Sequence, residues 1–337
     1  MRYKALALQT TCHALNRLDD VQIARDALVE NIRRVGRQVQ ASKQFIGPDL
    51  HLVVLPEYFA TGFPMEESLE LWREKACLSV EEDAFGEIRR IALDNGIYLS
   101  GNFYEADPHF PNCYFQSGFI LGPKGETLLL YRRLNSMFAV TPYDVLDQYL
   151  EIYGWDSLFP VVETPIGRLA CIASEEILYP EIARCLMMNG AEVFCHHTSE
   201  VSSPMPTQKH IAKLARAIEN MAYVVSANSA SIRGTSFPEA STDGRSQIVQ
   251  FDGLVLTEAG QGESMVAHAT LDIGALRHQR ERPGMANFIS RQRNALFAKE
   301  YARHEFYPPN TWKPGFQKAE FLEIQRRVIR QLYPPSS

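Results

Sequence analysis

The chain has 337 residues, 45% of them hydrophobic, and a formal net charge of −6. That apolar content is typical of a globular protein, and an acidic balance without a block of basic residues argues against a nucleic-acid partner. No uninterrupted apolar run is long enough to cross a bilayer, so no membrane partner is expected.

Short β-rich runs alternate with amphipathic stretches along the chain, the pattern of a layered α/β fold. The opening apolar piece is only a few residues long and reads as a strand over Tyr3–Gln9, not as a secretory signal. A helix follows over Val21–Gln40, then a strand over Leu50–Leu55, a helix over Glu82–Asp94 and strands over Tyr98–Tyr104, Tyr114–Leu121 and Thr127–Tyr131. Beyond these come a strand over Arg168–Ala173, a helix over Pro180–Asn189, a strand over Val193–His197 and a helix over Thr207–Met221. Strands over Tyr223–Ala227, Ser246–Phe251, Leu254–Glu258 and Ser264–Leu271 complete the pattern. Gly122-Pro123-Lys124-Gly125 and Asp252-Gly253 mark two hairpin turns. The basic cluster at 277–282 reads as a solvated helix end. From Pro283 the character changes to prolines, Trp312 and an amphipathic stretch over Ala319–Leu332, an arm that wraps the domain or a neighbouring subunit.

Six cysteines are scattered without CxxC spacing, which points to reduced thiols, a cytoplasmic location and no metal site. The segment Gly167 to Arg184 carries the sharpest chemical indication. Its apolar run ends on Ser174, and Pro180 opens a helix shortly after. A hydroxyl held between a strand end and a helix start has little freedom and lies near backbone N–H groups able to stabilise an oxyanion.

Two further strand ends carry charge: Leu55-Pro56-Glu57 presents a carboxylate, and Tyr131-Arg132-Arg133-Leu134 presents cations. With Ser174, these three segments resemble the carbon–nitrogen hydrolase, or nitrilase, superfamily, whose members carry a glutamate, a lysine and a cysteine at these positions. Asn112, Gly190-Ala191, the segment at 214–228, and Gly244-Arg245-Ser246-Gln247-Ile248 followed by Asp252-Gly253 extend the likeness to about Arg280. The resemblance implies an α/β, four-layer αββα sandwich over residues 1–282, with 283–337 as the arm. It also implies a homodimer or larger homo-oligomer, a small-molecule amide or nitrile substrate, and no cofactor.

Counting back six residues from Pro180 places Ser174 where the family has its cysteine, and Arg133 where it has its lysine. The acidic residue two after the nucleophile falls on Glu176. The family's additional glutamate has Asp147 and Glu151 in its interval, and His210 stands near a family tryptophan. The expected catalytic residues are therefore Glu57, Arg133 and Ser174, and the expected substrate-binding residues are Tyr58, Glu151, Glu176, His197 and His210. Cys171 is the alternative nucleophile, although three residues along a strand reverses the face on which a side chain emerges. Loops at 59–67, 137–156 and 198–206 should shape the pocket.

In the family mechanism the glutamate takes the thiol proton, and the lysine helps to stabilise the tetrahedral intermediate. A serine needs a proton acceptor during attack, and Glu57 is the expected one. Arg133 orients it or binds the oxyanion, but a fixed cation lowers a carboxylate's basicity. Non-covalent hydration, elimination or proton transfer by Glu57 and Arg133, and a non-catalytic ligand-binding protein, are the alternatives.

Overall fold

The computed structural model describes residues 1–333 apart from Glu66, Asp243, Pro314 and Gln317. Glu66 of the loop at 59–67 and the last four residues of the arm lie outside the described residues. The strands are β1 (Arg2–Ala7), β2 (Cys12–His13), β3 (Leu50–Val54), β4 (Tyr98–Glu105), β5 (Phe115–Leu121), β6 (Thr127–Arg132), β7 (Val162–Thr164), β8 (Gly167–Ala173), β9 (Val193–Thr198), β10 (Tyr223–Asn228), β11 (Ile232–Arg233), β12 (Gln247–Val249), β13 (Val255–Glu258) and β14 (His268–Asp272). The helices are α1 (Val21–Ile46), α2 (Leu69–Ala76), α3 (Asp83–Asn95), α4 (Leu146–Tyr153), α5 (Pro180–Met188), α6 (Gln208–Asn220), α7 (Ile273–Glu281), α8 (Asn294–Tyr301) and α9 (Lys318–Leu332).

Alternation along the strands builds four layers. On β3, Leu52 and Val54 face inward, whereas Val53 faces α1 and α3. On β8, Leu169, Cys171 and Ala173 face inward, whereas Ala170 and Ile172 face α5 and α6. Both strands are buried on two faces, which is why they read as continuous apolar runs. Two six-stranded sheets result, ordered β14-β1-β3-β4-β5-β6 and β13-β12-β10-β9-β8-β7. In each, three neighbouring strands run parallel (β1, β3 and β4; β8, β9 and β10) and the flanking strands are antiparallel. The architecture is an αββα sandwich.

Helix α1 shows how sequence fixes its layer. Asp20 caps it by accepting from the Ile23 N–H at 2.9 Å, and Ala24, Leu28, Ile32, Val35 and Val39 form one buried stripe. It runs to Ile46, past the expected end at Gln40, until Gly47 adopts a φ of 111°. The expected strand over Ser246–Phe251 is shorter, because Gln250 already belongs to the turn, its N–H donating to Leu254 O. The strand expected from Ser264 begins at His268, after a loop.

Helices α2, α4 and α8, and strands β2, β7 and β11, are additions to the expected pattern, whereas α7 supplies the helix end expected at 277–282. The basic cluster at 277–282 is not simply a solvated helix end. Arg277 pairs with the buried carboxylate of Glu192, and Arg280 donates to the carbonyls of Ala191, Asn220 and Met221. The arm folds back on its own domain: Trp312 N–H donates to Asp144 O at 3.0 Å, and Phe316 and Phe321 are buried with Phe110, Phe115 and Tyr149. Among the described residues, no helix is long and apolar enough to cross a membrane.

The two inner layers pack closely at Gly118 on β5. A Cβ built there would lie 3.0 Å from Cys171 Cβ and 3.3 Å from its Sγ. Overpacking of this kind costs about 1–3 kcal/mol. Gly118→Ala should therefore lower unfolding stability by that amount in urea titration while leaving the far-ultraviolet spectrum unchanged.

Candidate active site

The parallel core strands deliver their carboxyl ends to one edge of the sandwich, the usual location for ligand chemistry in α/β sheets. Glu57 follows β3, Arg133 follows β6, Ser174 follows β8, and Thr198 ends β9. Glu57 N–H reaches across the sandwich to Thr198 O at 3.4 Å. Arg132 and Arg133, adjacent in sequence, diverge. Arg132 turns to Glu105 and Asp107 at 2.6 and 2.7 Å beneath the ring of Tyr153, whereas Arg133 turns into the site.

Arg133 is buried at the centre of an acidic set. Its Nη1 lies 3.3 Å from Glu57 Oε1 and 2.5 Å from Gln116 Oε1, its Nη2 lies 2.5 Å from Glu175 Oε1, and its Nε donates to Asn135 O at 2.6 Å. Burial alone favours loss of its proton, but the carboxylates of Glu57, Glu175 and Glu176 hold it charged. Glu57 is 2% exposed. Its Oε1 also accepts from Gln116 Nε2 at 2.7 Å, whereas its Oε2 is buried with no hydrogen-bond partner among the described residues. Tyr58, half-buried beside it, stacks on Tyr104, and burial with the neighbouring carboxylate pushes its phenol up.

Glu176 corrects one expectation. It does not face substrate: its two oxygens accept from Tyr131 Oη at 2.8 Å each, from the N–H groups of Leu134 and Asn135 at 2.7 and 3.0 Å, and from Ala173 N–H at 3.2 Å. With its acceptor capacity taken and the residue wholly buried, it joins the end of β6 to the end of β8.

Ser174 opens a 3-10 turn over Ser174–Leu178 with a φ of 50°, in the left-handed region. It is 5% exposed. His196 Nε2 bonds its carbonyl at 2.8 Å, and Lys209 Nζ donates to its Oγ at 3.1 Å. The same ammonium group lies 3.3 Å from Thr198 Oγ1. Burial lowers the Lys209 pKa, with Glu57 and Glu200 opposing and Arg133 and Lys213 reinforcing that shift. Lys209 was not among the residues expected from sequence. The pattern that reveals it is positional: a cation in the first turn of a helix opposes the macrodipole, and a helix following a parallel strand starts at the catalytic edge.

The remaining candidates lie elsewhere. His210, one residue on, is turned by about 100° around α6 and faces Glu258 at 3.9 Å. His197 points between the sheets, bonded to Ser100 Oγ at 2.8 Å, and burial lowers it to about 3. It is a neutral core histidine, not a substrate ligand. Glu151 is exposed on α4 and lies outside the cluster, as does the exposed Asp147. Cys171 is fully buried between the sheets against Phe119 O and Ser100, and burial pushes its thiol well above the usual range, which opposes a nucleophilic role. A cleft of about 1170 Å³ is lined by Asn135, Glu175 and Tyr179 together with Tyr301 and Tyr307 of the arm. Among the described residues, no group of three or more His, Cys, Asp or Glu is arranged to hold a metal ion.

The family model described as carbon–nitrogen hydrolase matches residues 14–281. The chain belongs to the carbon–nitrogen hydrolase family. Among relatives of this hydrolase, a formamidase of Pseudomonas syringae pv. syringae (strain B728a) is 26% identical over 266 residues, covering 79% of this chain and 72% of that protein. A formamidase of Bradyrhizobium diazoefficiens is 28% identical over 216 residues, 64% of this chain, and the match spans only 58% of the relative's own length. The crystal structure of a carbon–nitrogen hydrolase from Helicobacter pylori G27 superposes with a TM-score of 0.67 at 17% identity, covering 89% of this hydrolase and 98% of that chain. The sandwich is thus the family fold.

Two outcomes follow from the buried carboxylates. Glu176→Gln places an amide NH₂ against backbone donors and should cost about 1–3 kcal/mol, read by urea unfolding. Glu200, paired with buried Lys213, is raised by burial but brought down to about 2 by that ammonium and its hydrogen bonds. Its folded pKa lies below the ordinary value of about 4.3, so its stabilisation is present above that value and fades as pH falls toward 2. The melting-temperature gap between wild type and Glu200→Gln should be widest at neutral pH and close progressively below pH 5.

Proposed function

We propose that this protein hydrolyses the C–N bond of a small amide by an acyl-enzyme route, with Ser174 as nucleophile in the position where the family has cysteine. The observation that carries this reading is the meeting of Glu57, Arg133 and Ser174 at one edge of the sandwich, from strands β3, β6 and β8 of two different sheets. The formamidase relatives point to an amide of few atoms, and the cluster is dominated by charged and polar groups.

The roles follow from the contacts. Ser174 Oγ attacks the carbonyl carbon, and the amine departs. Glu57, whose Oε2 accepts no hydrogen bond among the described residues, serves as general base toward the water that releases the acyl group. Arg133 stays charged, holds the other Glu57 oxygen and supplies positive potential where the oxyanion develops. Against a non-covalent reaction stands the placement of Ser174: a strained, buried hydroxyl contacted by a cation is an investment that water addition by Glu57 alone does not need.

Assay of formamide, acetamide and related short amides by ammonia release tests the proposal. Ser174→Ala should lose at least about 100-fold in kcat/KM and fail to form the acyl adduct that mass spectrometry detects on Ser174 in wild type. Cys171→Ala should keep wild-type turnover. Full activity in Ser174→Ala together with loss in Glu57→Gln would transfer the reaction to non-covalent chemistry.

A further inference from the structure

We propose that Lys209 is a catalytic residue of this site, the group that takes the Ser174 hydroxyl proton during attack and returns it to the departing nitrogen. The inference rests on the reading of Ser174 as nucleophile and deepens it. It does not rest on Glu57 being the base in every step.

The argument begins with reach. Of the titratable side chains around Ser174, Lys209 is the one in hydrogen-bond contact with Oγ, at 3.1 Å. Glu57 is committed through Oε1 to Arg133 and Gln116, and His196 contacts only the Ser174 backbone carbonyl. Thr198 Oγ1, 3.3 Å from Nζ, gives the amine a second fixed partner and so fixes its direction.

The setting then favours an amine that can lose its proton. Lys209 stands in the first turn of α6, capped by Thr207, where the helix dipole disfavours a cation. The groups around it are Glu57 from the end of β3, Arg133 from the end of β6, Glu200 from the segment after β9, and Lys213 one turn along α6. Each anion there already has a cation: Glu57 is paired with Arg133, and Glu200 with Lys213. That leaves Lys209 partly buried without a carboxylate of its own among the described residues, a setting that suits a lysine base.

The chemistry balances without any further reagent. The Oγ–C bond forms as the hydroxyl proton passes to neutral Nζ and the carbonyl electrons move to oxygen. The tetrahedral intermediate collapses with cleavage of C–N, and the Nζ ammonium protonates the leaving nitrogen. Water then adds to the ester, the Oγ–C bond breaks, and Oγ regains a proton. Serine paired with lysine is one of the known convergent variants of the nucleophile–base arrangement. In this chain it coincides with two changes from the family pattern, serine for cysteine and arginine for lysine.

The test follows modification of Ser174 from pH 6 to 10 by p-nitrophenyl acetate and phenylmethanesulfonyl fluoride, with peptide mass spectrometry locating the adduct. In wild type the rate should rise with pH to a plateau through an inflection below the ordinary lysine value of about 10.4. In Lys209→Met it should fall at least about 100-fold and lose that inflection, and Lys209→Arg, which keeps the charge but cannot accept a proton, should not restore it. Wild-type rates in either variant, or a flat wild-type profile, overturn the role of Lys209 while leaving Ser174 as nucleophile. Absence of any Ser174 adduct in wild type overturns the nucleophile reading and this inference with it. The wild-type profile decides the question even if the variants fold poorly.

Discussion

The site is held together by the buried carboxylate of Glu176. Two sheets that share no hydrogen-bond ladder meet at this edge, where the Glu57–Thr198 main-chain bond and the Arg133–Glu175 ion pair also bridge them. Glu176, carried by the chain leaving β8, accepts from Tyr131 and from the N–H groups of Leu134 and Asn135 at the end of β6. Its bond from Ala173 N–H folds the same carboxylate back over its own strand. Arg133 and Ser174 each lie within two residues of a group bonded to Glu176, so their relative placement depends on it. Charge-assisted bonds to backbone donors suit this task, since they are strong and directional.

Around that fixed joint the charges are arranged unevenly. Arg133 is surrounded by three carboxylates and is held charged. Lys209, across the same cluster, is partly buried near the same Glu57 but forms no ion pair with it. The contrast is one of partners: Arg133 is clamped by the carboxylates of Glu57 and Glu175, whereas Lys209 donates to the hydroxyls of Ser174 and Thr198.

How much of this was legible in the sequence depends on the range of the information. Strands such as β3, β8 and β9 were legible because residues buried on both faces leave continuous apolar runs, and helix α1 because its stripe repeats at helical spacing. Helix α4 lay hidden in an interval that looked like loop, since it presents few buried residues; Tyr149 alone is buried. Glu57, Arg133 and Ser174 were legible as residues that end buried strands. The neighbouring positions were harder, because one residue changes everything: His196 and His197 point to opposite faces of β9, and Lys209 and His210 to different sides of α6. Glu176 is legible as the acidic residue two after Ser174, but its role depends on donors more than 40 positions away in the chain, which no local pattern encodes.

The backbone of Ser174 restricts what can stand at this position. With φ at 50°, a side chain pays a steric penalty of about 1–2 kcal/mol that glycine avoids. A β-branched residue fits such a backbone worst, so threonine, which offers the same hydroxyl, is disfavoured on geometry before its chemistry is considered. Glycine, by contrast, would relax the turn. Backbone comfort and side-chain chemistry therefore pull in opposite directions at this position: the substitution that best relieves the turn is the one that removes the hydroxyl.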